Sequence, residues 1–286
     1  MGIFSFQNSF LRQFRSILHQ HKRTQDLSSA PTFYSSLLQV FLSFLRIRLP
    51  LFYNFIKVCY WKINYFKASF LGSRIEENKW ANRDLNKIRT SLNNLTHSHR
   101  KLLVEKISRF QPIISILEIG CSYGPNLYCL AKQFPQAELT GIDINPLSIQ
   151  EGNKLLTKDG ILNVKLICGK ADELRQFQNQ KFDIVLTDAL LIFIGPDKIK
   201  KVIREMLKIT RRALIFVEWH CENPVSDKDP FGLGIYHYGC WKRNYINLFN
   251  QFVPKERIHL TKIPKELWPS KDWEELGYII EVLLDN

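Results

Sequence analysis

Short apolar runs alternate with longer segments of helical periodicity over the C-terminal two thirds of the chain. The apolar runs are five to seven residues long, which is typical of buried parallel strands. This alternation predicts a parallel sheet that is covered by helices on both faces. The predicted strands are residues 113–119, 138–142, 164–168, 182–187 and 213–218, and the predicted helices are residues 99–107, 124–133, 146–158, 171–176 and 196–210.

The last part of the chain has a different pattern. Residues 257–263 and 278–284 have the character of strands, with no helical periodicity between them, so they predict an antiparallel hairpin at the sheet edge. The predicted fold class is α/β: a Rossmann-like, mostly parallel seven-stranded sheet with a C-terminal antiparallel hairpin and an α-helical N-terminal extension. Residues 227–239 predict a loop on the substrate side, and residues 241–252 predict a helix that closes over it.

The turn after the first predicted strand carries the strongest chemical signal. Residues 118–124 read EIGCSYG and are followed directly by a predicted helix. Gly120 and Gly124 have no Cβ, so the backbone can approach a ligand closely, and the first N–H groups of the helix face that ligand. Glu118 at the strand end would repel a pyrophosphate, but it can balance a cationic or amine-bearing ligand.

A second carboxylate follows at the end of the next predicted strand. Asp143 lies about 20 residues after the glycine turn, where an acidic residue commonly binds ribose hydroxyls. The third glycine of a dinucleotide-binding turn is missing from residues 118–124. The two strand ends therefore predict a nucleoside-binding βαβ unit.

These segments resemble the motifs of class I S-adenosylmethionine-dependent methyltransferases, in the small-molecule, type 11/12-like branch. Ser122 stands where the first family motif has its middle glycine. The resemblance covers about residues 98–286 and implies that the cofactor is S-adenosylmethionine. It also implies that Asp143 accepts hydrogen bonds from both ribose hydroxyls and that Ile144 lies against the adenine ring.

Two later segments resemble the family motifs that follow the third and fourth strands. In residues 169–172, Asp172 is implied to accept from the adenine amino group, and in residues 182–190, Asp188 is implied to lie at the methionine end. Asp143 and Asp172 have a simpler alternative as helix N-caps. The implied cofactor-binding residues are Glu118, Gly120, Ser122, Gly124, Asn126, Asp143, Ile144, Ala171, Asp172 and Asp188.

Residues for the acceptor are sought after the fifth predicted strand. His220 at that strand end is the candidate general base, with a structural histidine as the alternative. The candidate substrate-side residues are Tyr236, His237, Trp241 and Arg243. The six cysteines form no C-x-x-C pair and no metal-ligand spacing with histidine, so we expect no metal site and a reducing compartment.

Charge divides the chain into two predicted regions, a helical extension at residues 1–75 and a catalytic domain at residues 76–286. The extension holds ten lysines and arginines against Asp26 alone, whereas the remainder holds 30 basic and 26 acidic residues. Aromatic residues are dense among these cations, which suits a membrane interface. A targeting segment and a helical cap packed on the domain are the alternatives.

Three functions fit these observations. The leading hypothesis is methyl transfer to a small-molecule or lipid-like acceptor, in the cytoplasm or peripherally on a membrane; import into an organelle stays open. RNA methylation ranks lower, because the positive charge lies in the apolar extension rather than on the catalytic domain. The third is a non-catalytic scaffold that keeps the fold. The acceptor molecule, the acceptor atom and the oligomeric state are left open.

Overall fold

The computed structural model describes residues 72–84, 86–87, 95, 97–177, 182–222, 233–237 and 239–284, together with positions 51, 52, 55, 59 and 63. The chain divides into two compact units, residues 1–64 and 65–286. The predicted basic extension lies largely outside the described residues, so its helices stay a prediction. Within the described part of the chain, no helix is long and apolar enough to cross a membrane.

A seven-stranded sheet forms the centre of the second unit, in the order β3-β2-β1-β4-β5-β9-β8. The first five strands in the chain pair in parallel, and β9 and β8 continue the sheet antiparallel to β5. This confirms the predicted fold class. Its strands are β1 (Ser115–Ile119), β2 (Glu138–Asp143), β3 (Val164–Cys168), β4 (Phe182–Asp188), β5 (Thr210–Trp219), β8 (Ile258–Lys262) and β9 (Gly277–Leu283), and a separate hairpin is formed by β6 (Ile235–His237) and β7 (Cys240–Lys242).

Helices cover both faces of the sheet and bury two apolar clusters against it. Helix α5 (Ile199–Ile209) is the clearest example of an amphipathic helix on this sheet. Its residues Val202, Ile203 and Met206 fall on one face and are fully buried. The described helices are α1 (Arg74–Ala81), α2 (His99–Ser108), α3 (Pro125–Gln133), α4 (Pro146–Lys158), α5 (Ile199–Ile209), α6 (Tyr245–Phe249) and α7 (Lys271–Leu276).

Two predicted segments differ from the structure after β5. The predicted helix at 241–252 is instead strand β7 followed by the short helix α6, because the Asn244 side chain accepts from the N–H of Asn247 and caps a helix that can begin only at Tyr245. The C-terminal strands are separated by α7, which the sequence pattern missed. A helix of six residues with Trp273 and Leu276 buried spans too few turns to show a period.

Candidate cofactor and acceptor site

The loop between β1 and α3 has a backbone that few residues can adopt. Gly120 has φ 76° and Gly124 has φ 82°, both in the left-handed region. Ser122 shares that conformation with φ 52°, which explains why a glycine is usual at this place in the motif. A Cβ atom at Gly120 would lie 2.8 Å from the Cδ1 atom of Leu190. The loop therefore passes close to the chain that follows β4.

Asp143 joins this loop to the next one. Its Oδ2 atom accepts from the N–H of Ser122 at 2.8 Å, and its Oδ1 atom accepts from the N–H of Asn145 at 2.8 Å. Burial raises the pKa of Asp143, although these two N–H groups act in the opposite direction. The N-cap of α4 is Asn145, whose side chain accepts from the N–H groups of Leu147 and Ser148. Asp143 is therefore not the N-cap of this helix.

A buried polar cluster lies at the carboxyl ends of β1 and β4. The amide of Asn126 donates to Glu118 Oε1 at 2.7 Å and to Asp188 Oδ2 at 2.9 Å. Three acceptor atoms of this cluster are buried and have no hydrogen-bond partner among the described residues: Glu118 Oε2, Asn126 Oδ1 and Asp188 Oδ1. Burial raises the pKa of Glu118 to about 8. These three acceptor atoms thus lack donors among the described residues.

Two histidines that the sequence analysis did not single out extend this cluster. His99 Nε2 lies 2.7 Å from Asp188 Oδ2, and His97 Nδ1 lies 2.6 Å from His99 Nδ1. The ring of Trp268 packs on both imidazoles, with centroid distances of 4.9 Å to His97 and 4.3 Å to His99. A His-x-His pair before a helix was the available signal, but nothing in the spacing indicates its distant partner at residue 188.

A cavity of about 400 Å³ is lined by several of these residues, whereas Glu118, Gly124, Asn126 and the two histidines lie behind its lining. Its first wall is formed by the strand ends and carries most of the predicted cofactor residues: Gly120, Ser122, Asp143, Ile144, Ala171, Asp172 and Asp188. Its second wall is aromatic. Trp268 and Trp273 stack with ring centroids 3.6 Å apart, and Trp219 meets Trp273 edge-on at 6.0 Å. None of these tryptophans is among the predicted acceptor residues.

Helix α1 lies along a third side of the cavity through Glu76, Glu77 and Trp80. Its start is fixed by Ser73, whose N–H and hydroxyl both donate to Asp197 Oδ1 at 2.9 Å. Its end is fixed by the Asn145 amide, which donates to the Trp80 carbonyl at 3.0 Å. The predicted domain boundary after residue 75 stays a prediction, but the residues just before it already belong to this site.

Asp172 reaches the cavity, although its carboxylate is already paired. Lys198 lies 3.1 Å away and Lys201 3.5 Å away, and Lys198 also pairs with Glu77 on α1. Burial acts to raise the pKa of Asp172, but the hydrogen bond and charge of Lys198 outweigh it, so the pKa is lowered. The predicted contact of Asp172 with the adenine amino group stays a prediction.

Glu218, at the end of β5, organises the segment that follows β4. Its Oε1 atom accepts from the Thr187 hydroxyl at 2.8 Å and from the N–H groups of Leu190 and Leu191 at 3.0 and 2.9 Å. Burial raises the pKa of Glu218 to about 7 against these donors. This carboxylate fixes the strained turn at Ala189, which has φ 53° and lines the cavity.

The predicted general base lies away from the cavity lining. His220 is 1% exposed and does not line the cavity; its Nδ1 atom accepts from the N–H of Tyr245 at 3.3 Å. Burial lowers the pKa of His220 to about 4. The cause is the pleat of β5, because the preceding Trp219 faces the cavity and its neighbour therefore faces the opposite side of the sheet. His220 is thus buried away from the cavity lining, which favours the structural alternative, and its assignment as a general base stays a prediction.

The β6–β7 hairpin also differs from expectation. Arg243 is fully buried and donates to the carbonyls of Leu191, Ile194 and Leu233, so it holds loops together rather than facing an acceptor. Trp241 is buried and packs on Tyr236 at 5.1 Å, outside the cavity lining. The side chain of His237 lies outside the described residues. Cys240 is the described residue of this hairpin that reaches the cavity.

Known proteins share this architecture. Residues 116–213 match the family model described as a methyltransferase domain. The malonyl-[acyl-carrier protein] O-methyltransferase of Priestia megaterium is 36% identical over 80 residues, 28% of this chain and 27% of the relative. Aklanonic acid methyltransferase DauC of a Streptomyces species is 34% identical over 90 residues, 31% of this chain and 40% of the relative. These matches span less than half of either relative.

The fold comparison extends over more of the chain. The structure of the plantazolicin methyltransferase BpumL in complex with S-adenosylhomocysteine superimposes with a TM-score of 0.54 at 17% identity, covering 79% of this chain and 99% of that chain. Residues 116–213 are thus similar to a methyltransferase domain, and the second unit has the fold of a solved methyltransferase.

Proposed function

We propose that this chain transfers the methyl group of S-adenosylmethionine to a small-molecule or lipid-like acceptor. One observation supports this most directly: the wall with the cofactor motifs and the wall of tryptophans belong to the same cavity. A methyl acceptor must lie beside the sulfonium of the cofactor, so both ligands need one shared space. Aromatic walls favour a flat or apolar acceptor over a highly charged one.

The residues present fit the cofactor. S-adenosylmethionine carries an α-ammonium group with three N–H donors, and the cluster of Glu118, Asn126 and Asp188 offers three buried acceptor atoms without a partner. An ammonium beside Asp188 would supply donors to acceptor atoms that lack them. Asp143 and Ile144 at the neighbouring strand end would hold the ribose and adenine.

The chemistry requires little from the protein beyond positioning. When bound, the cofactor supplies a methyl group already activated on a sulfonium, so no residue needs to generate an electrophile. The chain's own residues would bind the nucleoside, exclude water and orient the acceptor in line with the methyl group. Trp268 and Trp273 form a flat surface for that acceptor, and helix α1 limits the access of solvent from its side.

Membrane delivery of the acceptor is a separate part of the proposal. It is supported by the ten cations and the dense aromatics of residues 1–75. We expect the full chain to sediment with anionic vesicles, and the charge reversals Lys57→Glu, Lys62→Glu and Lys67→Glu together to weaken this. The matched control reverses three exposed lysines of the second unit: Lys255, Lys265 and Lys271. Equal sedimentation of both variants would contradict the anchor.

The test of the function is transfer of label. The purified chain is incubated with methyl-labelled S-adenosylmethionine and, in separate reactions, with a small-molecule extract, a lipid extract and total RNA, and the products are read by mass spectrometry. Label in a small-molecule or lipid product supports the proposal, whereas label confined to RNA contradicts it. If the chain binds no cofactor in calorimetry, the scaffold hypothesis replaces it.

The matched control for this test is a pair of carboxylate variants. Asp143→Ala removes the strand-end carboxylate and should lower affinity for S-adenosylhomocysteine by roughly 10- to 100-fold, since a hydrogen bond to a charged group contributes about 1.5–3 kcal/mol. Asp159→Ala removes an exposed carboxylate that accepts a hydrogen bond from the Tyr128 hydroxyl, and it should leave the affinity unchanged. Similar labelling by both variants would mean that Asp143 has another role.

A further inference from the structure

The histidine pair contacts one residue from each of the two walls of the cavity, and the proposed chemistry gives it no role. His99 contacts the acid cluster through Asp188 and contacts the aromatic wall through Trp268. It is 2% exposed, so its ring is held in one place by these neighbours. Each nitrogen of a buried imidazole is expected to donate or accept a hydrogen bond.

The hydrogen bonds around Asp188 are unequal. Its Oδ2 atom lies within 2.7 Å of His99 Nε2 and also accepts from the Asn126 amide at 2.9 Å. Its Oδ1 atom is buried and has no partner among the described residues. Two groups therefore hold one oxygen of the carboxylate and leave the other without a hydrogen bond, in a residue that lines the cavity.

The groups around Asp188 favour the ionised form of its carboxylate. Burial acts to raise the pKa of Asp188, but the charge and hydrogen bond of His99 lead the opposing effects, and the pKa is lowered. The other titratable or charged groups nearby are His97, Arg100 and Glu118. Burial lowers the pKa of His97, and the positive charges of His99 and Arg100 add to this effect.

We propose that His99 is a positioning residue for the α-ammonium group of S-adenosylmethionine, acting through Asp188. The imidazole binds one oxygen of the Asp188 carboxylate so that the other oxygen faces the ammonium. The packing of Trp268 against the imidazole fixes the orientation of the ring for that contact. The inference rests on the proposed function, since it assumes that the cofactor occupies the cavity. The inference concerns only the amino-acid end of the cofactor, so replacing His99 should not change the affinity for the nucleoside end.

The test compares two ligands that differ at that end. S-adenosylhomocysteine carries the ammonium, whereas 5′-methylthioadenosine has the same nucleoside and thioether without the amino-acid part. In calorimetry of the full chain, His99→Phe should weaken S-adenosylhomocysteine by roughly tenfold, the effect of losing one hydrogen bond to a charged group, and should change 5′-methylthioadenosine by less than about twofold. His99→Gln, whose amide nitrogen can reach the position of Nε2, should restore most of the affinity.

A spectroscopic measurement on the unmodified chain gives a second readout. In ¹⁵N-labelled protein, the His99 Nε2 resonance should shift when S-adenosylhomocysteine binds and stay in place with 5′-methylthioadenosine. This arm also covers the case in which His99→Phe does not fold. Equal weakening of both ligands, unchanged affinity in His99→Phe, or an Nε2 resonance indifferent to both ligands would overturn the inference. If the wild-type chain binds neither ligand, the proposed function itself fails.

Discussion

The two walls of the cavity are built by different means. The nucleoside wall depends on backbone: Gly120 and Ser122 are left-handed, and Asp143 accepts from two N–H groups. The acceptor wall depends on side chains, with Trp219 from the end of β5 and the neighbouring Trp268 and Trp273 from the region of α7. A backbone wall fixes a ligand common to many enzymes, whereas a wall of side chains can change without disturbing the sheet.

The two walls therefore differ in the substitutions that they tolerate. A tightly turned backbone leaves no room for even one added carbon, because the nearest atoms belong to a packed loop. Stacked rings can be replaced by other apolar groups with a smaller loss, since area and shape matter more there than a single hydrogen bond. The expected effects on cofactor binding are largest at the nucleoside wall and smallest at residues away from the cavity.

The largest effect is expected from Gly120→Val. The first added carbon would lie 2.8 Å from Leu190 and would require a left-handed conformation with φ 76°, so the loop must move away from its ligand position. Affinity for S-adenosylhomocysteine should fall by roughly 100-fold or more, given the 1–3 kcal/mol typical of overpacking together with the backbone strain. Calorimetry measures this directly.

A matched control separates backbone strain from the clash. Gly160 also has a positive φ, 66°, but no atom lies within 4 Å of a Cβ built there. Gly160→Val should therefore lower thermal stability by a similar strain and leave cofactor affinity unchanged. A loss of affinity in both variants would show that global stability, rather than the space next to Leu190, controls binding.

The same contrast explains how far the sequence could predict the site. Glycines and acids at strand ends are dictated by local geometry, so Gly120, Asp143 and Asp188 could be placed from periodicity and family motifs. The tryptophan wall and His99 could not, because their contacts join residues far apart in the chain, such as His99 and Asp188. The short helix α7, which carries Trp273, left no periodic pattern at all.

A smaller effect is expected from the pH dependence of cofactor binding. Burial raises the pKa of Glu118 to about 8, so the free protein keeps this carboxyl neutral at pH 6–7, and an ammonium ligand requires it ionised. Affinity for S-adenosylhomocysteine should rise with pH, by up to about tenfold per unit below pH 8. Glu118→Gln should flatten this dependence, and 5′-methylthioadenosine should not show it.

Stability of the free protein should change in the opposite direction. The folded-state pKa of Glu118 lies above its unfolded value of 4.5, so the unfolded chain binds fewer protons between those values. The contribution of this group to the free energy of unfolding therefore decreases as pH rises from about 4.5 to about 8. Cofactor affinity that is flat over this range in calorimetry would place the ammonium away from Glu118.

The smallest effect on binding is expected at His220, on the far side of β5. His220→Asn should leave affinity for S-adenosylhomocysteine within about twofold and leave turnover unchanged once an acceptor is known, because the ring does not reach the cavity. It should reduce the free energy of unfolding by about 1 kcal/mol, since the ring accepts from the N–H of Tyr245. Chemical denaturation measures this cost.

The pH dependence of this loss in the free energy of unfolding distinguishes a structural role for His220 from a catalytic one. Burial lowers the pKa of His220 to about 4, so between that value and 6.5 the unfolded chain binds more protons than the folded one. The wild type should therefore lose stability as pH falls through this window, by up to about 1.4 kcal/mol per unit, and His220→Asn should lose less. A variant with normal cofactor affinity and a turnover lowered 100-fold would instead restore His220 as the general base, and would require β5 to turn its end toward the cavity.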